Sequence, residues 1–180
     1  MRKNLERINP ITLAEDGKQE YAKNNFKAAA GLFSQAAQVY ASLKDELNAA
    51  EMKNNESVAL LQAGNAKAAL LATEGTEEVF QRAGDIKRQG IAVSNRAAAL
   101  EGLKKWKEAL AEYDRAASLF EQVGEGDMHS IVRKAAANIN LTHGRFLDSQ
   151  MDVYDSLRLV EKPTLTQRFM KFLIKLGLVK

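Results

Sequence analysis

Apolar side chains recur along most of the chain at spacings of three and four residues, the period of an amphipathic α-helix. One clear stretch follows Lys105, where the apolar positions are Trp106, Ala109, Leu110, Tyr113, Ala116, Ala117 and Phe120. Charged residues occupy positions between them, so one side of the helix is apolar and the other is solvated. The pattern predicts a helix from about Trp106 to Val123, preceded by another from about Asp85 to Leu103.

The same helix pattern returns at a fixed interval of 40 residues, so that Ala66, for example, occupies the position equivalent to Phe26. Five columns keep this interval: Phe26, Ala66, Trp106 and Phe146; Ala29, Ala69, Ala109 and Ser149; Phe33, Thr73, Tyr113 and Val153; Ala36, Thr76, Ala116 and Ser156; Tyr40, Phe80, Phe120 and Val160. Columns in register at one interval are the sequence signature of a repeat array. We therefore predict a stack of helix pairs in which alanine allows close approach and an aromatic ring fills the gap.

Glycine, aspartate and proline mark the ends of the predicted helices. Glycines stand at equivalent turn positions, where a left-handed conformation ends a helix: Gly64, Gly84, Gly124 and Gly144. Aspartates near the next helix starts can accept hydrogen bonds from free backbone N–H groups: Asp45, Asp85 and Asp127. Pro10 and Pro163 flank the array. The expected divisions are an N-terminal extension (1–9), four repeats (10–43, 44–83, 84–123 and 124–161) and a C-terminal helix (162–180).

The second helices resemble those of the tetratricopeptide repeat family, in which an aromatic residue, alanine, an aromatic residue and alanine follow at intervals of three, four and three. Two units carry the full pattern, Phe26-Ala29-Phe33-Ala36 and Trp106-Ala109-Tyr113-Ala116. The resemblance implies an all-α, right-handed solenoid of four antiparallel helix pairs with a C-terminal capping helix. HEAT and armadillo repeats have similar lengths, but they usually carry prolines or a third helix, and no proline lies inside these units.

Two features depart from that family's pattern. The interval is longer than the family's usual 34 residues, as in its long-repeat members. In the first helices, the column in which the family usually has leucine holds Asp16, Glu56, Arg96 and Ala136. The packing of the first helices is therefore expected to differ from that of the family.

The resemblance also implies a binding surface, because the first helices line the concave groove in that family. Column matching places six residues there: Asn54, Asn55, Ser94, Asn95, Lys134 and Asn138. Asn55 and Asn95 share one column, although asparagine is a poor helix former. A side-chain amide can both donate and accept hydrogen bonds, so it can bind the backbone of an extended peptide whatever the sequence of that peptide. The alternative is that these amides bond between neighbouring helices and hold the stack together.

A carboxylate clamp, which in this family grips a chain-terminal carboxylate with Lys, Asn and Arg, is matched only in part. Asn95 fits one position, and Lys134 with Asn138 has the spacing of the opening pair. Ile91 and Ile131 occupy positions where the clamp requires basic side chains. We therefore do not expect a clamp of this kind.

The segment after Pro163 predicts a basic amphipathic helix. The residues expected to contact a membrane or a partner are Arg168, Phe169, Lys171, Phe172 and Lys175. One interpretation is a cap that covers the apolar end of the last repeat. The other is an anchor on an anionic membrane surface, and the two can coexist if the helix undocks.

The second repeat is expected to be the softest. Gly75 lies inside its second helix, and Thr73 and Thr76 stand where the pattern has an aromatic residue and alanine. A glycine within a helix costs about 1 kcal/mol relative to alanine. The sequence predicts fraying or a bend at this point.

Composition and charge exclude several classes of function. The chain has 180 residues, no cysteine and a net charge of +3, and residues 161–180 carry five basic side chains against one acidic one. The array itself is nearly neutral, which does not suit nucleic-acid binding. His129 and His143 are too few and too dispersed for a metal site, and no phosphate-binding or nucleophile motif is present. No cofactor, metal or catalytic residue is expected.

These observations predict a non-enzymatic, cytoplasmic interaction scaffold that binds an extended segment of a partner protein in the concave groove. No N-terminal secretory signal or membrane-spanning stretch is evident. The first alternative is a peripheral membrane adaptor anchored by the C-terminal helix. The second is a self-assembling structural module, such as a homo-oligomer formed through that helix.

Overall fold

The computed structural model describes residues 9–175, except for the side chains of Phe169 and residues 173–175. The described chain is all-helical: α1 Pro10–Ala22, α2 Phe26–Ser42, α3 Glu46–Gln62, α4 Ala66–Ala72, α5 Thr76–Arg82, α6 Ile86–Gly102, α7 Trp106–Gln122, α8 Gly126–Thr142, α9 Phe146–Arg158 and α10 Leu165–Lys175. The helices predicted around residues 85–103 and 106–123 are confirmed to within two residues at each end.

Successive helices pack as pairs, and each pair packs on the next. The pairs are α1 with α2, α3 with the two short helices α4 and α5, α6 with α7, and α8 with α9. The first helix of the third pair, α6, contacts both α3 and the helices α4 and α5 of the pair before it. Because each helix buries its apolar side between two neighbours, the chain forms a helical solenoid, as the hydrophobic pattern predicts.

The turns between helices share one conformation. Their central residues recur every 20 positions with positive φ: Asn24, Lys44, Gly64, Gly84, Lys104, Gly124 and Gly144. The residue after each of them donates a backbone hydrogen bond to the carbonyl five residues earlier, as from Asp45 to Tyr40 at 2.9 Å. This is the Schellman arrangement that ends a helix. The four glycine predictions are therefore confirmed, and Lys44 and Lys104 adopt the same conformation without the freedom of glycine.

Two of the three aspartates predicted near helix starts are N-caps. The side chains of Asp45 and Asp85 accept hydrogen bonds from the backbone N–H groups of Asn48 and Arg88, at 3.1 and 2.9 Å. Asp127 lies within the first turn of α8 instead, and the cap position holds Glu125, whose side chain makes no capping bond. The cap column thus carries a longer side chain in the fourth repeat, and the prediction for Asp127 as a cap is wrong.

The second helix of the second repeat is broken, which confirms the predicted bend. Helix α4 ends at Ala72 and α5 begins at Thr76, with Gly75 in the left-handed region at φ 76°. The Thr73 hydroxyl donates to the carbonyl of Leu70 at 2.7 Å, and that of Thr76 donates to the carbonyl of Thr73 at 2.8 Å. Such hydroxyl bonds compete with the helical backbone and favour a break.

The core consists of the alanine and aromatic columns. Phe33, Phe80 and Phe120 are buried among alanines from neighbouring helices. Gly17 and Gly90 permit two equivalent close contacts, since a Cβ atom at either position would lie 2.8 Å from the ring of Phe33 or Phe120. Within the described residues, no helix is long and apolar enough to cross a bilayer.

Candidate functional site

The first helices present a row of exposed or half-buried side chains. We name this row the first-helix surface and define it by Ile11, Asn55, Ile91, Asn95, Ile131, Lys134 and Asn138. It extends over α1, α3, α6 and α8, and α3 and α6 are in direct contact. The interval of 40 residues therefore places equivalent positions of α3 and α6 on neighbouring helices.

Asn55 and Asn95 occupy equivalent positions on α3 and α6, and both are half-buried. Asn55 lines a crevice of about 180 Å³ with Lys18, Tyr21 and Val58. Among the described residues, neither amide forms a side-chain hydrogen bond of the kind that would tie two helices together. Their donors and acceptors are therefore available to a molecule on this surface.

Apolar side chains accompany these amides in a second column. Ile11 and Ile131 are 57% and 66% exposed, and Ile91 is half-buried. The column is interrupted by Glu51, whose carboxylate lies 3.3 Å from the guanidinium of Arg88. On α6, the half-buried Ile91 lies one helical turn before Asn95. Sequence reasoning identified Ile91 and Ile131 only as misfits to a clamp, and their exposure is visible only in the structure.

The other predicted groove residues differ in accessibility. Lys134 and Asn138 are exposed on α8, whereas Asn54 is only 4% exposed and its Oδ1 atom has no partner among the described residues. The Ser94 hydroxyl donates to the carbonyl of Ile91 at 2.9 Å, within its own helix. Asn54 is therefore withdrawn from the surface, because its column points between helices rather than outward. The six residues do not form one continuous patch.

A network of charged side chains around the buried Glu77 joins the second and third repeats. Glu77 of α5 accepts hydrogen bonds from Arg96, Arg115 and Gln89, and Arg96 also donates to Glu112 at 2.8 Å. Burial alone would lower the pKa of Arg96, but the carboxylates of Glu112 and Glu77 raise it. The arginine is thus held charged between two helices. Its column is the one in which the sequence departs from the tetratricopeptide pattern.

A second charged network joins the third and fourth repeats. The Arg133 guanidinium of α8 contacts Asp114 of α7 and Asp155 of α9, the latter at 2.6 Å. His129 is fully buried with its Nε2 atom 3.4 Å from Asp155, and burial lowers the pKa of its imidazole. Burial raises the pKa of Asp152, although the hydrogen bond that its carboxylate accepts from a neighbouring amide lowers it. These groups tie helices together, and Asp114 and Asp152 also line an open pocket of about 540 Å³.

His143 has a packing role that its sequence position did not reveal. Its ring lies 4.8 Å from the ring of Trp106, at an interplanar angle of 52°. Among the described residues, no group of three His, Cys, Asp or Glu side chains is arranged to hold a metal ion.

The C-terminal helix α10 packs only lightly on α9. Leu165 is 82% exposed, Phe172 is 55% exposed and Arg168 is exposed, while Lys171 is half-buried. The side chains of two other predicted contact residues, Phe169 and Lys175, lie outside the described part of the chain. Helix α9 also exposes apolar side chains: Phe146, Leu147, Met151, Val153 and Tyr154. In the described residues, α10 therefore leaves much of the apolar end of the array uncovered.

Two comparisons with known proteins bear on this architecture. A search of curated proteins found no match for the chain. A family model described as "Soluble NSF attachment protein, SNAP" matches residues 18–179, from the last turn of α1 through the C-terminal helix. The tetratricopeptide pattern in the second helices is thus the mark of a related helical repeat, and the chain belongs to the SNAP family.

Proposed function

We propose that the chain is a non-catalytic adaptor that holds an extended segment of a partner protein on the first-helix surface. The SNAP family is a family of non-enzymatic adaptors that bind protein partners. The observation that carries the binding mode is the pair of amides of Asn55 and Asn95, which lie in one column and form no side-chain hydrogen bond among the described residues. The attachment named in the family description supports a protein as the ligand.

The geometry suits an extended segment in two ways. An extended chain repeats its backbone N–H and C=O groups at regular intervals, which free amides on successive helices can meet. Ile91 and Ile131 offer apolar contact to its side chains, and Lys134 and Asn138 provide a polar margin. The alternative that the two asparagines hold the stack together would require hydrogen bonds from their side chains to neighbouring helices.

A pull-down with a double variant tests this proposal. Asn55→Ala/Asn95→Ala should retain the helical circular dichroism of the intact chain and lose a partner captured from source lysate. Removing two hydrogen bonds of about 1 kcal/mol each predicts roughly 30-fold weaker binding. The control, Gln35→Ala/Gln122→Ala, removes two exposed amides from second helices and should bind like the intact chain.

A photo-crosslinking residue places the contact directly. Substituted at Ile131, it should form an adduct with the partner, whereas at exposed Ala111 on α7 it should not. Adducts at Ala111 only, or equal capture by both double variants, would contradict binding on the first-helix surface. A variant that loses its fold would instead assign Asn55 and Asn95 to the stack.

A second candidate function is membrane attachment through α10. The observation in its favour is the exposure of Leu165 and Phe172 on a helix that also carries Arg168 and Lys171. Apolar side chains flanked by basic ones suit an anionic bilayer surface. Such attachment would add to partner binding on the first-helix surface, since α10 lies at the end of the array.

A further inference from the structure

A cleft of about 530 Å³ opens between α2, α3 and α5, where the broken second helix leaves space. Its walls include Ala37 of α2, Val79 of α5 and the backbone of Gly75, while on α3 the half-buried Glu56 lies at its floor and the exposed Lys53 at its rim. At 3.6 residues per turn, Lys53 and Glu56 lie on the side of α3 opposite Asn55 and Val58. The cleft is thus separate from the first-helix surface.

The next repeat shows what fills the equivalent space. There the guanidinium of Arg96 lies between the carboxylates of Glu77 and Glu112, at 2.9 and 2.8 Å. These three positions, moved back by one interval of 40 residues, are Glu56, Ala37 and Ala72. At these earlier positions the chain has glutamate in place of the arginine and alanine in place of the two carboxylates, so the described residues form no counterpart of the Arg96 ion pairs there.

Among the described residues, the Glu56 carboxylate forms no ion pair, whereas Arg96 at the equivalent position of the next repeat forms two. Burial raises the pKa of Glu56, and the nearby hydroxyl of Ser34 and the charge of Lys53 offset this only in part. The other charged groups on the cleft are Lys44, Glu46 and Glu74, and the Glu46 carboxylate is bound by Arg82 at 3.0 Å. Lys44 and Lys53 are exposed at the rim, where water screens their charge.

We propose that this cleft receives an arginine side chain from a partner protein, with Glu56 as the carboxylate that binds the guanidinium. Arginine fits for two reasons: its planar fork can bind a carboxylate through two parallel hydrogen bonds, and its aliphatic stem can lie along the alanine and valine walls. The cleft is open along one side, so the backbone of the partner can remain outside while the side chain enters. The inference goes beyond the proposed function, because it adds a contact on the other side of α3.

The test is a titration of the full ¹⁵N-labelled chain with the capped tripeptide acetyl-Ala-Arg-Ala-amide, followed by amide chemical shifts. We expect the shifts to concentrate on the cleft residues of α2, α3 and α5 and to saturate. The neutral isostere, with citrulline in place of arginine, should bind about tenfold more weakly, because it cannot form a charge-assisted pair of hydrogen bonds with the Glu56 carboxylate.

Two variants and a control make the result specific. Glu56→Gln removes the charge and should weaken binding about tenfold, and Ala41→Phe narrows the cleft from an exposed wall position and should do the same without changing any charge. Glu108→Gln removes an exposed carboxylate on α7 and should bind like the intact chain. Shifts spread equally over surface carboxylates, equal binding by Glu56→Gln, or no shifts at all would overturn the proposal. A lysine tripeptide that binds as tightly as the arginine one would also overturn the choice of arginine.

Discussion

The substitution Arg96→Met should lower the free energy of unfolding by about 2–3 kcal/mol. The guanidinium lies 2.9 Å from Glu77 and 2.8 Å from Glu112, and the Glu77 side chain is only 10% exposed. Removing one partner of a buried ion pair usually lowers the free energy of unfolding by about 3–5 kcal/mol, because the remaining charge stays buried without a partner. We take a smaller value because Arg115 still binds Glu77, through a side chain that is 48% exposed.

Urea unfolding followed by circular dichroism and by the fluorescence of Trp106, the one tryptophan, measures this loss. Agreement of the two signals is needed, since a repeat array can unfold in parts. The matched variant Arg115→Met, at the exposed end of the network, should cost less than about 1 kcal/mol. The double variant Arg96→Met/Glu77→Met removes both buried charges and should recover stability to within about 1 kcal/mol of the intact chain.

Either of two results would refute this reasoning. A loss below about 1 kcal/mol for Arg96→Met would mean that water screens the network as it does a surface ion pair. A double variant as unstable as the sum of its single variants would mean that the side chains of Arg96 and Glu77 act separately. In both cases the ion pairs of Arg96 would be a poor model for what binds in the open cleft over Glu56.

Three further predictions concern the break in the second repeat, the floor of the cleft and the C-terminal helix. Gly75→Ala should lower the free energy of unfolding by about 1–2 kcal/mol, because the φ of Gly75 is positive. The control Gly31→Ala, in a helix with open space around the new methyl group, should raise the free energy of unfolding by about 0.5–1 kcal/mol. A gain in thermal stability for both variants would contradict the left-handed break. Because burial raises the pKa of Glu56 above its ordinary 4.5, ionisation of Glu56 destabilises the fold. Glu56→Gln should therefore unfold at a higher temperature than the intact chain at neutral pH, and the difference in unfolding temperature should shrink as pH falls toward the ordinary glutamate pKa. A difference that does not change with pH would contradict this. The intact chain should sediment with phosphatidylserine vesicles, and Leu165→Ser/Phe172→Ser should sediment less; equal sedimentation would exclude α10 as the anchor, and a change in oligomeric state instead would favour self-assembly.

Much of the fold could be predicted because its determinants are local. Helix ends depend on a few neighbouring residues, so the sequence alone places Gly84 and Gly124 in turns and Asp45 and Asp85 at helix starts. The bend in the second repeat followed from Gly75 between two threonines. Lys44 and Lys104 show the limit of this reasoning, since nothing in a lysine side chain indicates a left-handed turn except its place in the interval.

The candidate sites were less predictable because they depend on several helices at once. Column matching placed Asn55 and Asn95 on adjacent helices, but it could not show that Asn54 is buried and Ile131 exposed. It also marked the column of Glu56 and Arg96 as a departure from the family pattern without showing its consequence. The missing information was which side chains from other helices stand beside that column.

The sequence by itself determined the interval, the helix pairs and the apolar columns, because hydrophobic periodicity and turn geometry act over a few residues. Only the tertiary structure decided which charged positions are satisfied within the protein. Arg96 meets Glu77 and Glu112 across 19 and 16 residues of chain, and Arg115 meets Glu77 across 38. Such contacts depend on the distance between packed helices, so the open cleft over Glu56 became visible only when the stack was assembled.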